Sequence, residues 1–153
     1  AAGFYANELL IRLLERRDPH PLLFAHYSAL LEELAHPERI EPGLRNFEIA
    51  LLRELGFGLN LGYSAQDHAP LDEDQNYEYQ LERGVVPVAM EIGGLVFKGS
   101  VLLAIDAGNW TELETRRAAK RLLRYTLDYY LEGRDLKTRK VYTAMLSGRP
   151  SSD

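Results

Sequence analysis

The apolar residues change period between Leu44 and Leu61, and that change dictates a mixed fold. Leu44, Phe47, Ala50, Leu51 and Leu55 recur at helical spacing and form one apolar face. Gly56 then supplies a helix stop and Gly58 a second break. The chain before this stretch reads as helix. The chain after it turns to short strands and then returns to helix.

Upstream, Gly3 to Arg17 forms a first helix with Leu9, Leu10, Leu13 and Leu14 as its stripe. Asp18-Pro19-His20-Pro21 ends it, because each proline lacks a donor and biases its predecessor away from the helical region. A second helix runs from Pro21 to about Ala35 and is closed by His36-Pro37. Glu41-Pro42 precedes a third, Gly43 to Leu55. Short proline-rich joints imply antiparallel neighbours in a bundle.

Downstream, Gly62 to Asn76 is polar and turn-rich. Tyr77, Tyr79 and Leu81 then alternate with Glu78, Gln80 and Glu82, as in a half-buried strand. Val85 to Ile92 and Leu95 to Lys98 flank Gly93-Gly94, a two-residue hairpin signal. A sheet of this size is marginal alone and must lean on the helices. A short helix from Val101 to about Ala107 follows. Thr111 then caps a long helix to Leu131, with Glu112 and Glu114 in its first turn. A last helix covers about Leu136 to Leu146. The expected fold is mostly α: a helical bundle from residues 1–61 and 99–147, a small antiparallel β insert over 62–98, and a flexible tail over 148–153.

Composition narrows the function classes. A chain of 153 residues, 46% hydrophobic, suits one compact domain. The absence of cysteine excludes a disulfide framework, a thiolate metal site and a cysteine nucleophile, and fits a reducing cytoplasm. No apolar run approaches the ~18 residues of a membrane span, so no membrane partner is expected. No signal peptide is read at Ala1 to Asn7. The chain opens almost inside a helix without an initiator methionine, which predicts a fragment or a processed chain.

The charge is segregated. Arg116, Arg117, Lys120, Arg121, Arg124, Arg134, Lys137, Arg139 and Lys140 face three acids over the same span, giving +6 locally within a chain of net −5. On a helix, the five cations from Arg116 to Arg124 fall within roughly a 140° arc. Ala119, Leu122, Leu123, Thr126 and Tyr130 fall on a separate, core-facing arc. Such a strip can follow phosphates or meet an acidic protein tail. The plainer reading is a solvated helix face paired with nearby acids.

Other candidates are weaker. His20, His26, His36 and His68 are scattered, with no i,i+4 pair for a metal, and no cofactor is expected. Asp72 and Asp74 lack the glycine and distal glutamate of a calcium loop. Lys98-Gly99-Ser100 lacks the earlier glycine of a phosphate loop. Tyr125, Tyr129 and Tyr130 could stack on bases, but at helical spacing beside leucines they read as packing. No nucleophile–base or metal constellation points to an enzyme.

These residues also support a family resemblance. Tyr5-Ala6-Asn7-Glu8-Leu9-Leu10-Ile11-Arg12-Leu13-Leu14 resembles the helix that opens the central domain of RecO-type DNA repair proteins. Leu44-Arg45-Asn46-Phe47-Glu48, continued by Leu51 to Leu61, is similar to that family's most distinctive stretch. Arg117-Ala118-Ala119-Lys120-Arg121 and Gly133-Arg134-Asp135-Leu136-Lys137-Thr138-Arg139 resemble its C-terminal signature. The resemblance implies a non-enzymatic recombination mediator that binds single- and double-stranded DNA and pairs with RecR. It also implies engagement of the acidic C-terminal tail of single-stranded DNA-binding protein, help in loading recombinase, and strand annealing. The family's N-terminal OB-fold would precede this chain, so weaker DNA affinity is expected than in a complete protein. Ser64 and Asp67 stand where zinc-binding members would place their first cysteine pair. The chain therefore resembles the zinc-free branch, with a zinc-finger-like insert held by apolar packing.

The acidic tail implied by the resemblance ends in a Phe carboxylate, which needs an apolar pocket and a nearby cation. Phe47 and Leu51, with Arg45 at the edge, are one expected location. The alternative is that Arg45 pairs with Glu48 or Glu41. A functional alternative of another class is a helical regulatory domain that binds a small apolar ligand between its helices.

Overall fold

A computed structural model describes residues 5, 7, 8, 21–90 and 94–132, with Pro21, Leu23, Leu131 and Glu132 described by their backbone alone. Residues 5, 7 and 8 are helical. The rest of the expected first helix, Gly93, the last helix and the tail lie outside the described residues.

Helix α1 (Pro21–Glu33) and helix α2 (Ile40–Glu54) are joined by a 3-10 turn at Pro37–Arg39. The start of α2 at Ile40 is earlier than expected. Pro42 sits inside the first turn, where its missing N–H would have had no helical partner. Gly43 lies where α2 packs on α1. A Cβ there would come within 3.2 Å of both Leu30 Cδ1 and Glu33 Cβ.

The expected stop at Gly56 is present. Gly56 has φ +84°. Its N–H donates to the Arg53 carbonyl at 3.1 Å, and the Phe57 N–H reaches back to the Leu52 carbonyl at 2.8 Å. This pair of reversed bonds is a Schellman closure. It delivers the Phe57 ring onto Tyr130, with centroids 4.0 Å apart and planes within 10°.

Strands β1 (Asn76–Gln80), β2 (Gly84–Val88) and β3 (Val96–Lys98) form an antiparallel sheet in the order β2-β1-β3. Tyr77 lies opposite Pro87 on one side and Phe97 on the other. This order corrects the expected hairpin at Gly93-Gly94, because β2 and β3 pair with β1 and not with each other. The tight connection is Leu81–Arg83, between β1 and β2, with Glu82 at φ +66°. A glycine pair marks a bend but does not choose a partner. The strand with buried Tyr77 and Tyr79 on one face takes the centre. Pro87 falls on an outer strand, where a missing donor is tolerated.

The insert shares the helices' core. Leu61, Leu71, Tyr77, Val85 and Phe97 cluster with Leu51, Leu52, Leu122 and Leu123. Hydrogen bonds add to this packing. Ser64 Oγ accepts from the Gln66 N–H at 3.2 Å, and Asp67 Oδ1 from the Ala69 N–H at 3.1 Å. The Ala65 N–H donates to the Val85 carbonyl at 2.8 Å, tying this turn to β2.

Helix α3 (Gly99–Asp106) follows β3 without a break. A Cβ at Gly99 would lie 1.8 Å from the Asp72 carbonyl oxygen, so only glycine fits there. The Gly99 and Ser100 N–H groups donate to the carbonyls of Gln75 and Glu73. The loop thus uses the helix start itself. The long helix α4 (Leu113–Glu132) buries Ala119, Leu122, Leu123, Thr126 and Leu127, while the Thr126 hydroxyl donates to the Leu122 carbonyl at 2.8 Å.

Candidate functional site

The cations of α4 lie on two neighbouring ridges, each with a spacing of four residues. One carries Arg116, Lys120 and Arg124, and the other Arg117 and Arg121. Arg116 is partly committed to structure. Its Nη1 donates to the Trp110 carbonyl at 2.6 Å and the Thr111 carbonyl at 2.9 Å, clamping the loop ahead of the helix. Trp110 Nε1 in turn donates to Asn46 Oδ1 at 3.0 Å, tying that loop to α2. Arg117, Lys120, Arg121 and Arg124 are exposed. Among the described residues, none of these four forms an ion pair.

The Arg117–Arg121 ridge borders an open groove of about 650 Å³ between α4, β3 and α3. Its lining includes Val96, Phe97, Val101, Leu113 and Ala118, with Lys98, Arg117, Arg121 and Glu114 as its charged members. Phe97 and Val101 are buried floor residues, while Lys98, Leu113, Arg117 and Arg121 are exposed. The Arg121 guanidinium lies over the Phe97 ring, 5.0 Å from its centroid, and donates to the Gly94 carbonyl at 3.3 Å. A cation held over an aromatic floor is fixed in position and still open to an anion.

Sequence reading located Arg117 and Arg121 but missed Lys98, Phe97, Val101 and Leu113. The alternation at Val96-Phe97-Lys98 was the available signal. It placed Phe97 on one face of β3 without showing that α4 would cover that face.

The expected pocket on α2 has a different geometry. Phe47 and Leu51 are core residues, 2% and 0% exposed. Arg45 is not at an edge; it is 7% exposed and faces Glu48, 2% exposed, with Nε to Oε1 at 2.7 Å. The Arg45 N–H is not aimed well enough to form a hydrogen bond, so the contact is a buried ion pair. The Tyr5 hydroxyl donates to Glu48 Oε2 at 2.9 Å. Burial pushes the Glu48 carboxyl above its ordinary value; Arg45, the Tyr5 bond, Arg124 and Lys120 pull it back in part. The expected edge position of Arg45 is corrected: one turn along its own helix supplies the counter-charge.

The tyrosines divide. Tyr130 stacks on Phe57. Tyr79 is buried, and burial raises its phenol to about 12. Tyr125 and Tyr129 are half-exposed. His26, His36 and His68 do not converge, and the described residues contain no group of three or more His, Cys, Asp or Glu suited to a metal ion. Asp72 Oδ1 accepts from the Asp74 N–H at 2.9 Å, closing its own turn. No helix among the described residues is long and apolar enough to cross a membrane. His20, Arg134, Lys137, Arg139 and Lys140 lie outside the described residues.

Comparison with known proteins gives a consistent match. The family model described as Recombination protein O C terminal matches residues 1–140. The chain is 40% identical over 141 residues to DNA repair protein RecO of Photobacterium profundum, covering 92% of this chain and 59% of that protein. Its counterpart from Aromatoleum aromaticum is 41% identical over 140 residues, covering 91% of this chain and 58% of the relative. That of Haemophilus influenzae (strain 86-028NP) is 40% identical over 142 residues, with 93% and 60% covered. The chain thus spans less than two thirds of the length of these relatives.

Proposed function

The chain belongs to the RecO family of DNA repair proteins, within its C-terminal region, and on that footing we propose that it serves recombination as a mediator that acts by binding. In this reading the exposed cations of α4 hold DNA, single- or double-stranded, through its phosphates. The groove beside Arg117 and Arg121 takes the acidic C-terminal tail of single-stranded DNA-binding protein. RecR pairing, recombinase loading and strand annealing belong to the same proposal.

One observation carries it: an apolar floor at Phe97 and Val101 lies under cations that have no ion-pair partner among the described residues. A tail ending in a Phe carboxylate needs that pair of features, a cavity for the ring and a cation for the carboxylate. The groove replaces Arg45, Phe47 and Leu51 as the proposed tail site. It is open and rimmed by charge, which argues against a closed cavity for a small apolar ligand.

Fluorescence anisotropy with a labelled acidic peptide and with labelled DNA, across a salt series, tests both halves. The peptide is expected to bind and to lose affinity when its terminal Phe is removed. DNA affinity is expected to fall steeply with salt. Glu substitutions at Lys120 and Arg124 should flatten that slope. Failure of both ligands to bind at low salt would overturn the reading.

A further inference from the structure

Tyr125 and Tyr129 continue the ridge of Arg117 and Arg121. Steps of four residues keep the four side chains in one row, about 6 Å apart along the helix axis. Halfway along, the row changes chemistry from guanidinium to phenol. Tyr125 is 48% exposed and Tyr129 46%. Their neighbour Tyr130 shows the contrast, because its ring lies flat against Phe57.

Tyr129 is nevertheless held in place. Its ring meets Tyr130 edge-on, with centroids 5.1 Å apart and planes at 81°. Its hydroxyl donates to Glu82 Oε1 at 3.4 Å, on the β1–β2 turn. The ring is therefore oriented before any ligand arrives, while much of its surface remains in water. A ring fixed in that way suits a flat partner, since little rotamer freedom is left to lose.

The flanking charge identifies the partner. Arg124 immediately precedes Tyr125 and Arg121 lies one turn before it, and both are exposed. Asp128 lies one turn beyond Arg124 on the neighbouring ridge, and Glu82 bonds the Tyr129 hydroxyl; both repel phosphate, which keeps a polyanion toward the arginine end of the row. A polyanion with flat aromatic groups projecting from it is a single-stranded nucleic acid. A duplex has the charge, but its bases are stacked on one another and out of reach of the rings.

We propose that Tyr125 and Tyr129 are a stacking platform for unpaired bases of a single strand whose phosphates pass over Arg121 and Arg124. The inference rests on the DNA-binding reading of α4 and adds a preference for unpaired strands that charge alone does not provide.

The test compares three labelled ligands on the full chain: oligothymidine, an abasic oligonucleotide of the same length and charge, and a duplex. Oligothymidine is expected to bind at least tenfold more tightly than the abasic strand, since each stacked base contributes about tenfold. In Tyr125→Ala/Tyr129→Ala the two single strands should bind within about twofold of each other, and duplex affinity should not change. Tyr125→Phe/Tyr129→Phe should keep the preference, because the rings remain. Equal binding of oligothymidine and abasic strand by the unsubstituted chain overturns the platform and leaves the DNA reading intact. A preference that survives the double alanine variant also overturns it. Failure of every ligand to bind overturns both readings.

Discussion

Helices α2 and α4 each set an arginine among apolar residues, and the two arginines end in opposite states. Arg45 on α2 is buried with a carboxylate one turn away on the same helix. Arg121 on α4 lies over Phe97 and remains exposed. Apolar residues beside a cation therefore do not make a binding site by themselves. What decides is whether the chain supplies the anion. On α2 the residue three positions on is Glu48, and the ion pair closes inside the core. On α4 the residue four positions before Arg121 is another cation, Arg117, and the positions on either side are Lys120 and Leu122. The helix cannot neutralise itself there, and its charge stays available.

The largest expected effect sets the two arginines against each other in stability. Glu48→Ala leaves Arg45 buried without its partner and should cost about 3–5 kcal/mol in urea denaturation. Arg121→Ala removes an exposed cation and should cost less than about 1 kcal/mol. The double variant Arg45→Met/Glu48→Leu keeps the volume apolar and should recover most of the loss, since well-packed apolar replacements of buried pairs are often neutral or stabilising. If Glu48→Ala costs no more than Arg121→Ala, the contrast between the helices fails.

The next effect reverses the roles, with binding as the readout. Arg117→Glu/Arg121→Glu should weaken the acidic peptide by about tenfold or more, because it places repulsion at the groove rim. Its denaturation midpoint should stay near that of the unsubstituted chain. The Arg45→Met/Glu48→Leu variant should bind the peptide normally. Loss of peptide binding in that buried variant would return the tail site to α2.

The sequence already carried much of this architecture where local chemistry decides. Gly56 ends α2 because a positive φ is needed there, and no distant residue has to be known. The apolar period of α4 placed Ala119, Leu122 and Leu123 in the core for the same reason. The strand order was not legible, because Gly93-Gly94 signals a bend while pairing depends on which strand can be covered on both edges. The groove was half legible. Arg117 and Arg121 announced themselves by charge, but their floor comes from Phe97 and Val101, which reach α4 only through the sheet order. Arg45 was misplaced because helical spacing gives an angle around the axis and not the depth of the neighbouring elements.

A smaller effect follows from the sign of the Glu48 shift. Burial raises this carboxyl above 4.5, so the folded chain takes up its proton at a higher pH than the unfolded chain. The stability it contributes is fully present below 4.5 and is lost as pH rises through the raised folded value. The Arg45→Met/Glu48→Leu variant lacks this titration. The stability difference between the unsubstituted chain and that variant should therefore move in favour of the unsubstituted chain as pH falls through this window. Movement the other way would mean that Arg45, the Tyr5 bond, Arg124 and Lys120 together outweigh burial, and that the α2 pair is more solvated than its position implies.

The smallest effect asks what holds the exposed cation in place. Arg121→Lys keeps the charge at the groove but removes the planar group that lies over Phe97. An exposed cation over a ring contributes about 0.5–1 kcal/mol, so peptide affinity should fall by about two- to fivefold. Substituting lysine at Arg117, for which no ring contact is seen among the described residues, should change it by less. Equal effects at the two positions would show that the groove reads charge alone. A larger effect at Arg121 would show that Phe97 does on α4 what Glu48 does on α2: it fixes an arginine, but leaves its charge free for a partner.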